Sequence, residues 1–284
     1  MENLTQGVLF LVATPIGNLS DISARAVQTL ENADFIAAED TRVTLKLLGH
    51  LGIKKQLVSY FEHNRRESGE KILTRLLGGE SCALVSDAGT PAISDPGEDL
   101  VRLCADSGIS IISIPGPCAA ISALCMSGLK SGRFTFEGFL STSRKSRFEH
   151  LAELKAERRT MIFYEAPHKL LRTLKDMLEV FGDRSVSISR EMTKIYETTL
   201  RFPLSEAVAY FSENTPRGEF VLVIEGAVLE TFASLTQAQM LELAEKYVNA
   251  GMSVRDAAKT VSDETGISKN AIYNAIINAK CVEV

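Results

Sequence analysis

Five short apolar runs open the chain: VLFLVA (8–13), DFIAA (34–38), QLVSY (56–60), CALVS (82–86) and SIISIP (110–115). Between them lie stretches with helical periodicity, and turn residues bound each run. Runs this short read as strands rather than helices. Strands separated by whole helices cannot pair through tight hairpins, so the connections become parallel crossovers. The chain is thereby committed to an α/β fold whose first sheet is mostly parallel and covered on both faces. In such a sheet ligands bind at the carboxyl ends of the strands.

After PGPCAAISALCMSG, read as a small-residue helix, the texture changes. FTFEGFL (134–140), TMIFYEA (160–166), SVSISREM (185–192), ETTLRFPL (197–204) and EFVLVIEG (219–226) read as strands, with helices near 144–156, 168–181 and 205–212. Several of these strands adjoin one another, which predicts a mixed sheet. The expected organisation is an α/β domain over 1–116, a second α/β domain over 117–226, and a linker with a helical extension over 227–284. The linker is placed at 227–235, and three helices follow, with Ser253 and Ser268 as N-caps and Gly251 and Gly266 as stops. GISKNAIYNAI in this tail resembles a recognition helix, but the tail carries five basic and seven acidic residues. DNA affinity rests on phosphate neutralisation, so DNA is not an expected partner.

The balance of 45% hydrophobic and 24% charged residues belongs to a soluble globular chain, and no apolar run is long enough for a membrane span. The start has no basic export signal, which points to the cytoplasm. Five cysteines (82, 104, 118, 125, 281) without a CxxC pair read as reduced, mostly buried thiols, with no disulfide and no zinc or other metal site. The net charge is −5, yet residues 41–66 hold six basic residues against one acid, and 141–160 hold six against three. Two basic islands in an acidic chain suggest a local polyanion-binding face. Arg42, Lys46, Arg65, Arg66, Arg144 and Lys145 are its candidates, with solvated helix faces as the plain alternative.

The loop SDAGTPAISDPG (86–97) follows the fourth run. It is longer than the roughly two to six residues of an ordinary strand-to-helix connection, which marks it as a binding loop. Pro96 is expected in the first turn of the next helix. A dinucleotide fingerprint is absent, since ATPIGNLSD after the first run holds only Gly17, and no GK[ST] P-loop occurs.

Seven stretches together, LVATPIGNLSDIS, AAEDTRVTLKLL, SDAGTPAISDPG, IPGPCAAISAL, YEAPHKL, SREMTKIYE and PRGEFVLVIEG, resemble the ribosomal RNA small-subunit methyltransferases of the tetrapyrrole (corrin/porphyrin) methylase superfamily. The resemblance covers residues 8–226 almost continuously. It implies two α/β domains with S-adenosyl-L-methionine folded into the cleft between them. It further implies methyl transfer to the ribose 2′-oxygen of a cytidine in the decoding centre of 16S rRNA, on naked RNA or the small ribosomal subunit, by a homodimer. Asp87, Ala88, Gly89, Thr90 and Ile93 suit the cofactor, and by resemblance Cys118, Ala119, Ala120, Phe163, Tyr164, Pro216 and Gly218 add contacts. For Phe163 and the alanines, core packing is the plain alternative. A ribose hydroxyl is a weak nucleophile, so a carboxylate or lysine in reach would help; Glu39, Asp40, Glu191 and Lys194 are the catalytic candidates. Arg42 and Arg190 suit phosphate or the holding of those acids. The rival readings are the same fold acting on a tetrapyrrole or a diphthamide precursor, and a non-enzymatic RNA-binding assembly factor.

Overall fold

The computed structural model describes residues 6–228, 237–265 and 267–282. Its first sheet has strands β1 (Val8–Val12), β2 (Phe35–Ala38), β3 (Gln56–Ser59), β4 (Cys82–Val85) and β5 (Ser110–Ile114), in the order β3-β2-β4-β1-β5. All four pairings are parallel. Helices α1 (Ala24–Asn32), α2 (Thr41–Leu51), α3 (Arg65–Leu77) and α4 (Glu98–Asp106) make the crossovers. Alternation along the strands sorts the core into two layers. Phe35, Ala37 and Leu84 pack with Ile72 and Leu76 of α3 and Leu100 of α4. Ile36, Ala38 and Val85 pack on the opposite face with Ala26 and Leu30 of α1 and Leu48 of α2.

Helix α5 (Ala119–Ser127) leads to the second sheet: β6 (Phe134–Phe139), β7 (Thr160–Glu165), β8 (Ser185–Arg190), β9 (Thr198–Pro203) and β10 (Phe220–Ile224), ordered β6-β7-β10-β8-β9. Only β6 and β7 pair in parallel, so the sheet is mixed as the adjoining strands required. Helices α6 (Arg144–Glu153), α7 (Pro167–Phe181) and α8 (Leu204–Glu213) accompany it. Leu170 and Leu174 of α7 and Leu204 of α8 seal one face. Ala120, Ala123 and Leu124 of α5 meet Ile162, Val221 and Val223 on the other.

Two compact units result, Met1–Gly226 with both sheets and Ala227–Val284. The second contains α9 (Gln237–Asn249), α10 (Val254–Thr265) and α11 (Lys269–Val282), closed around Ala244, Ala258, Val261, Ile272 and Ile276. Ser253 caps α10 as expected, its Oγ accepting from the Asp256 amide at 3.1 Å. Gly251, at φ +95°, follows the end of α9. Asn270, Tyr273 and Asn274 are exposed on α11, whereas Lys269 is half-buried. The expected linker over 229–235, Gly266 and the Cys281 side chain lie outside the described residues. Among the described residues, no helix is long and apolar enough to cross a membrane.

Three expectations are corrected. Pro96 precedes helix α4 instead of opening it, because Gly97 takes φ +154° and the helix begins only at Glu98. A Cβ at Gly97 would approach Ala92 and Leu84 to about 3.1–3.2 Å, so the turn is closed before the helix starts. The thiols divide: Cys82 and Cys104 are buried, Cys118 is half-buried and Cys125 is exposed. Arg147, counted in the second basic island, is no surface cation. It is 2% exposed, its Nε donates to Asp176 Oδ2 at 2.7 Å, and its Nη1 donates to the carbonyls of Ser141 and Thr142.

Candidate active site

Because β1, β2, β4 and β5 run parallel, the segments after them emerge along one edge. Loop 86–97 leaves β4 in mid-sheet, with β2 and β1 on either side. Its neighbours fasten it. The amides of Thr14 and Gly89 donate to each other's carbonyls at 2.8 and 3.0 Å, and the Asp40 amide donates to Asp87 Oδ1 at 3.0 Å. Thr90 Oγ1 donates to the Pro117 carbonyl at 3.0 Å, just before α5. The loop is also strained: Ala92 and Ser94 hold φ of +66° and +65°. Non-glycine residues adopt that region at a cost, and such outliers cluster at ligand sites.

A cleft of about 480 Å³ opens against this loop, of the size usual for small ligands. Its walls come from both sheets. Asp87, Ala88, Gly89, Thr90 and Ile93 line one side, with Cys118 and Ala119 at the start of α5. Tyr164, Glu191 and Lys194 line the other. Ala120 supplies its backbone instead, its amide donating to the Tyr164 hydroxyl at 3.1 Å while its methyl packs in the core.

Phe163 points the wrong way. Successive side chains on a strand face opposite sides, so β7 turns Tyr164 to the cleft and Phe163 into the α7–α8 core, where it is fully buried. Pro216 and Gly218 stand outside the lining. Gly218 lies behind Glu191 at φ +81°, and a Cβ there would come within 2.3 Å of Glu191 Oε1. Gly17 serves the same wall from the other sheet, since a Cβ there would lie 2.5 Å from Lys194 Cγ. The glycine is needed for close approach, not for a dinucleotide.

Six carboxylate residues, Glu39, Asp87, Asp95, Glu165, Glu191 and Glu219, line the cleft against one lysine, Lys194. Burial, with the charges of Asp95 and Asp87 adding to it, raises the Glu39 carboxyl above its ordinary value. Asp87 is raised mainly by burial, and Asp95 is pushed up to about 6 for the same reason, with the Asp87 charge contributing. Glu191 goes the other way, lowered by its 3.0 Å contact with Lys194 Nζ. Asp40 is spent elsewhere. It caps α2, accepting from the Arg42 amide at 2.8 Å, and takes a two-pronged contact from the Arg42 guanidinium that holds it at about 2.

Of the residues not singled out from sequence, Asp95, Glu165 and Glu219 matter most. All sit inside quoted motifs, but only folding brings them to the border of one cleft. Glu165 shares the Phe163 face of β7 and is spent on α7, accepting from Lys169 Nζ at 3.1 Å and from Thr173 Oγ1 at 2.5 Å. Among the described residues, Arg190 makes no ion pair with Glu191, and its buried Nε has no hydrogen-bond partner. The basic candidates are exposed but mostly matched by acids: Arg65 meets Asp99 at 3.0 Å, Arg66 meets Glu70 at 3.8 Å and Lys145 meets Glu149 at 3.9 Å. Arg144 stacks on Phe148. Lys46 is exposed on α2.

The family profile described as Tetrapyrrole (Corrin/Porphyrin) Methylases matches residues 8–208. The Ribosomal RNA small subunit methyltransferase I of Synechocystis sp. is 47% identical, the match covering 94% of this chain and 96% of that protein. Its counterpart in Halalkalibacterium halodurans is 48% identical, covering 95% and 94%. Among solved structures, uroporphyrin-III C-methyl transferase from Thermus thermophilus complexed with S-adenyl homocysteine is similar with a TM-score of 0.55. That match has 15% identity and covers 76% of this chain and 97% of the other.

Proposed function

The chain belongs to the tetrapyrrole (corrin/porphyrin) methylases, and from that premise we propose that it methylates small-subunit ribosomal RNA using S-adenosyl-L-methionine. The acceptor in this reading is the ribose 2′-oxygen of a cytidine in the 16S rRNA decoding centre. The observation that carries the cofactor assignment is the charge of the cleft. Four carboxylate residues without an ion pair among the described residues, Glu39, Asp87, Asp95 and Glu219, around an apolar wall with Ile93 and Tyr164, suit a cationic sulfonium joined to an apolar adenosyl group. Gly89, at φ +86°, keeps the backbone of the binding loop accessible. Thr90, Ala88, Cys118 and Ala119 would hold the cofactor's polar and ring portions. Bound there, S-adenosylmethionine supplies an electrophilic methyl group for in-line displacement.

The protein's own task is to orient the ribose hydroxyl and take its proton. Glu39 is the better candidate for the proton, because burial and like charges raise its affinity for one. Asp40 is ill suited, held down by Arg42. The Glu191–Lys194 pair, braced by Gly17 and Gly218, is placed to orient the acceptor. A division into lobes near Gly116, a homodimeric assembly and a cytoplasmic location complete the proposal. The first draws support from β5 ending at Ile114 and β6 entering the other sheet.

Incubation with labelled S-adenosylmethionine and either small-subunit RNA or assembled subunits tests the reading. Label is expected on one ribose, mapped by resistance of the adjacent bond to alkali. Glu39→Gln should lower kcat by roughly 10²–10⁴ with cofactor affinity kept within a few fold. No transfer to either substrate overturns the function; a fully active Glu39→Gln overturns only the base assignment.

A further inference from the structure

The second sheet has a basic hollow at its far end. Chain reversal between α5 and β6 brings Lys130, Ser131, Gly132 and Arg133 beside Arg158 and Arg159, which precede β7. They border an open concavity of about 1020 Å³. The acid of this surface, Glu157, is already committed: its carboxylate accepts from Arg159 Nε at 2.9 Å and Nη2 at 2.6 Å, and is held at about 2. Lys130, Arg133 and Arg158 are exposed and have no ion pair among the described residues. The backbone beneath is rigidly seated. Thr160 Oγ1 donates to the Lys130 carbonyl at 2.5 Å, and Gly226 packs so closely that a Cβ there would meet the Arg158 carbonyl at 2.2 Å.

We infer that this hollow is a second, remote anchoring site for the phosphodiester backbone of the RNA acceptor. The inference rests on the proposed function, since it takes RNA to be the substrate. β6 and β7 run parallel from the hollow to the cleft, and about 6 residues of strand separate the two by roughly 20 Å. The nucleotide being methylated cannot itself reach that far, but a large folded acceptor presents phosphates at such distances. Exposed cations without ion pairs on two adjoining loops, around a wide opening, fit a run of phosphates better than one enclosed ion. Guanidinium forks match phosphate oxygens in pairs, and small Ser131 and Gly132 keep the floor accessible. The basic island over 41–66 points less clearly, because its arginines are paired with Asp40, Asp99 and Glu70.

The test uses the full chain carrying Arg133→Glu and Arg158→Glu, beside the conservative Arg133→Lys and Arg158→Lys pair. Five measurements are made: thermal midpoint, S-adenosylmethionine affinity, inorganic phosphate binding, affinity for small-subunit RNA across a salt series, and KM against kcat on naked RNA and on assembled subunits. Charge reversal is expected to leave the midpoint and cofactor affinity unchanged. RNA affinity should fall at least tenfold at 0.1 M salt, with the slope of log K against log salt shallower by about two. KM for RNA should rise with kcat near its original value, and the lysine pair should keep most of the slope. An unchanged slope and KM overturns the inference. So does inorganic phosphate binding lost in the variant while RNA binding is kept, which marks a small-anion site. A loss confined to assembled subunits, with naked RNA unaffected, also overturns it and points to a protein contact. If the original chain methylates no RNA at all, the proposed function itself has failed.

Discussion

Asp95 shows how a single residue can serve the cleft at the expense of the fold. Its carboxyl is held up at about 6, first by burial and then by the charge of Asp87. In the unfolded chain it ionises near the ordinary 3.8, so the native state binds more protons between about pH 4 and 6. The stability contributed by this group therefore falls as pH rises through that window and stays low above it. Asp95→Asn removes the burden. The thermal midpoint should exceed that of the original chain by roughly 4–8 °C at pH 7.5, and the difference should vanish by pH 4. If the acid cluster serves a sulfonium, the same variant should bind S-adenosylmethionine several-fold more weakly. Scanning calorimetry at both pH values and titration calorimetry of the cofactor check the two halves. Equal midpoints at pH 7.5 would mean that the Asp95 carboxylate is solvated well enough to carry no penalty.

At the scale of elements, β7 separates structure from function by alternation alone. TMIFYEA reads as a strand without ambiguity, yet motif resemblance carries Phe163 and Tyr164 to the cofactor together. A period of two permits only one of them on that face. Deciding which needed the position of α5, whose Ala120 amide meets the Tyr164 hydroxyl. Phe163→Ala should accordingly cost about 3–5 kcal/mol of stability by chemical denaturation, with cofactor affinity of the folded protein unchanged. A large loss of affinity without a loss of stability would return Phe163 to the site. Helix α6 carries a second lesson of the same kind. Its basic composition suggested a polyanion face, but Arg147 lies inward on Asp176 and ties Ser141 and Thr142 to α7. Charge is countable in a sequence; pairing and direction are not. Breaking the pair with Asp176→Ala leaves a buried guanidinium unmatched and should cost about 3–5 kcal/mol. Replacing both residues by apolar ones should cost clearly less, as urea unfolding of the two variants beside the original chain would show.

For the molecule as a whole, the parallel order and the carboxyl-edge site were legible because short apolar runs alternating with helices leave few topologies open. The acidity of the cleft was not, because its six carboxylate residues come from separate segments between Glu39 and Glu219 and converge only on folding. The tail presents the opposite case, with an easily read three-helix pattern and no residue in the lining of the cleft. Its residues form a separate unit with a core of Ala244, Ala258, Val261, Ile272 and Ile276, and every cleft residue belongs to Met1–Gly226. Removal of residues 227–284 should therefore leave S-adenosylmethionine affinity unchanged. Asn270, Tyr273 and Asn274, exposed on α11, offer hydrogen-bonding groups that can meet a folded RNA without large net charge. Methylation of assembled subunits should then fall several-fold in the truncated chain, mainly through KM. Cofactor affinity, thermal midpoint and methylation rate measured on that one truncation separate the possibilities. A lowered midpoint with loss of solubility would mean that the helices cover apolar surface. Normal melting and a normal rate would remove the tail from both folding and substrate capture.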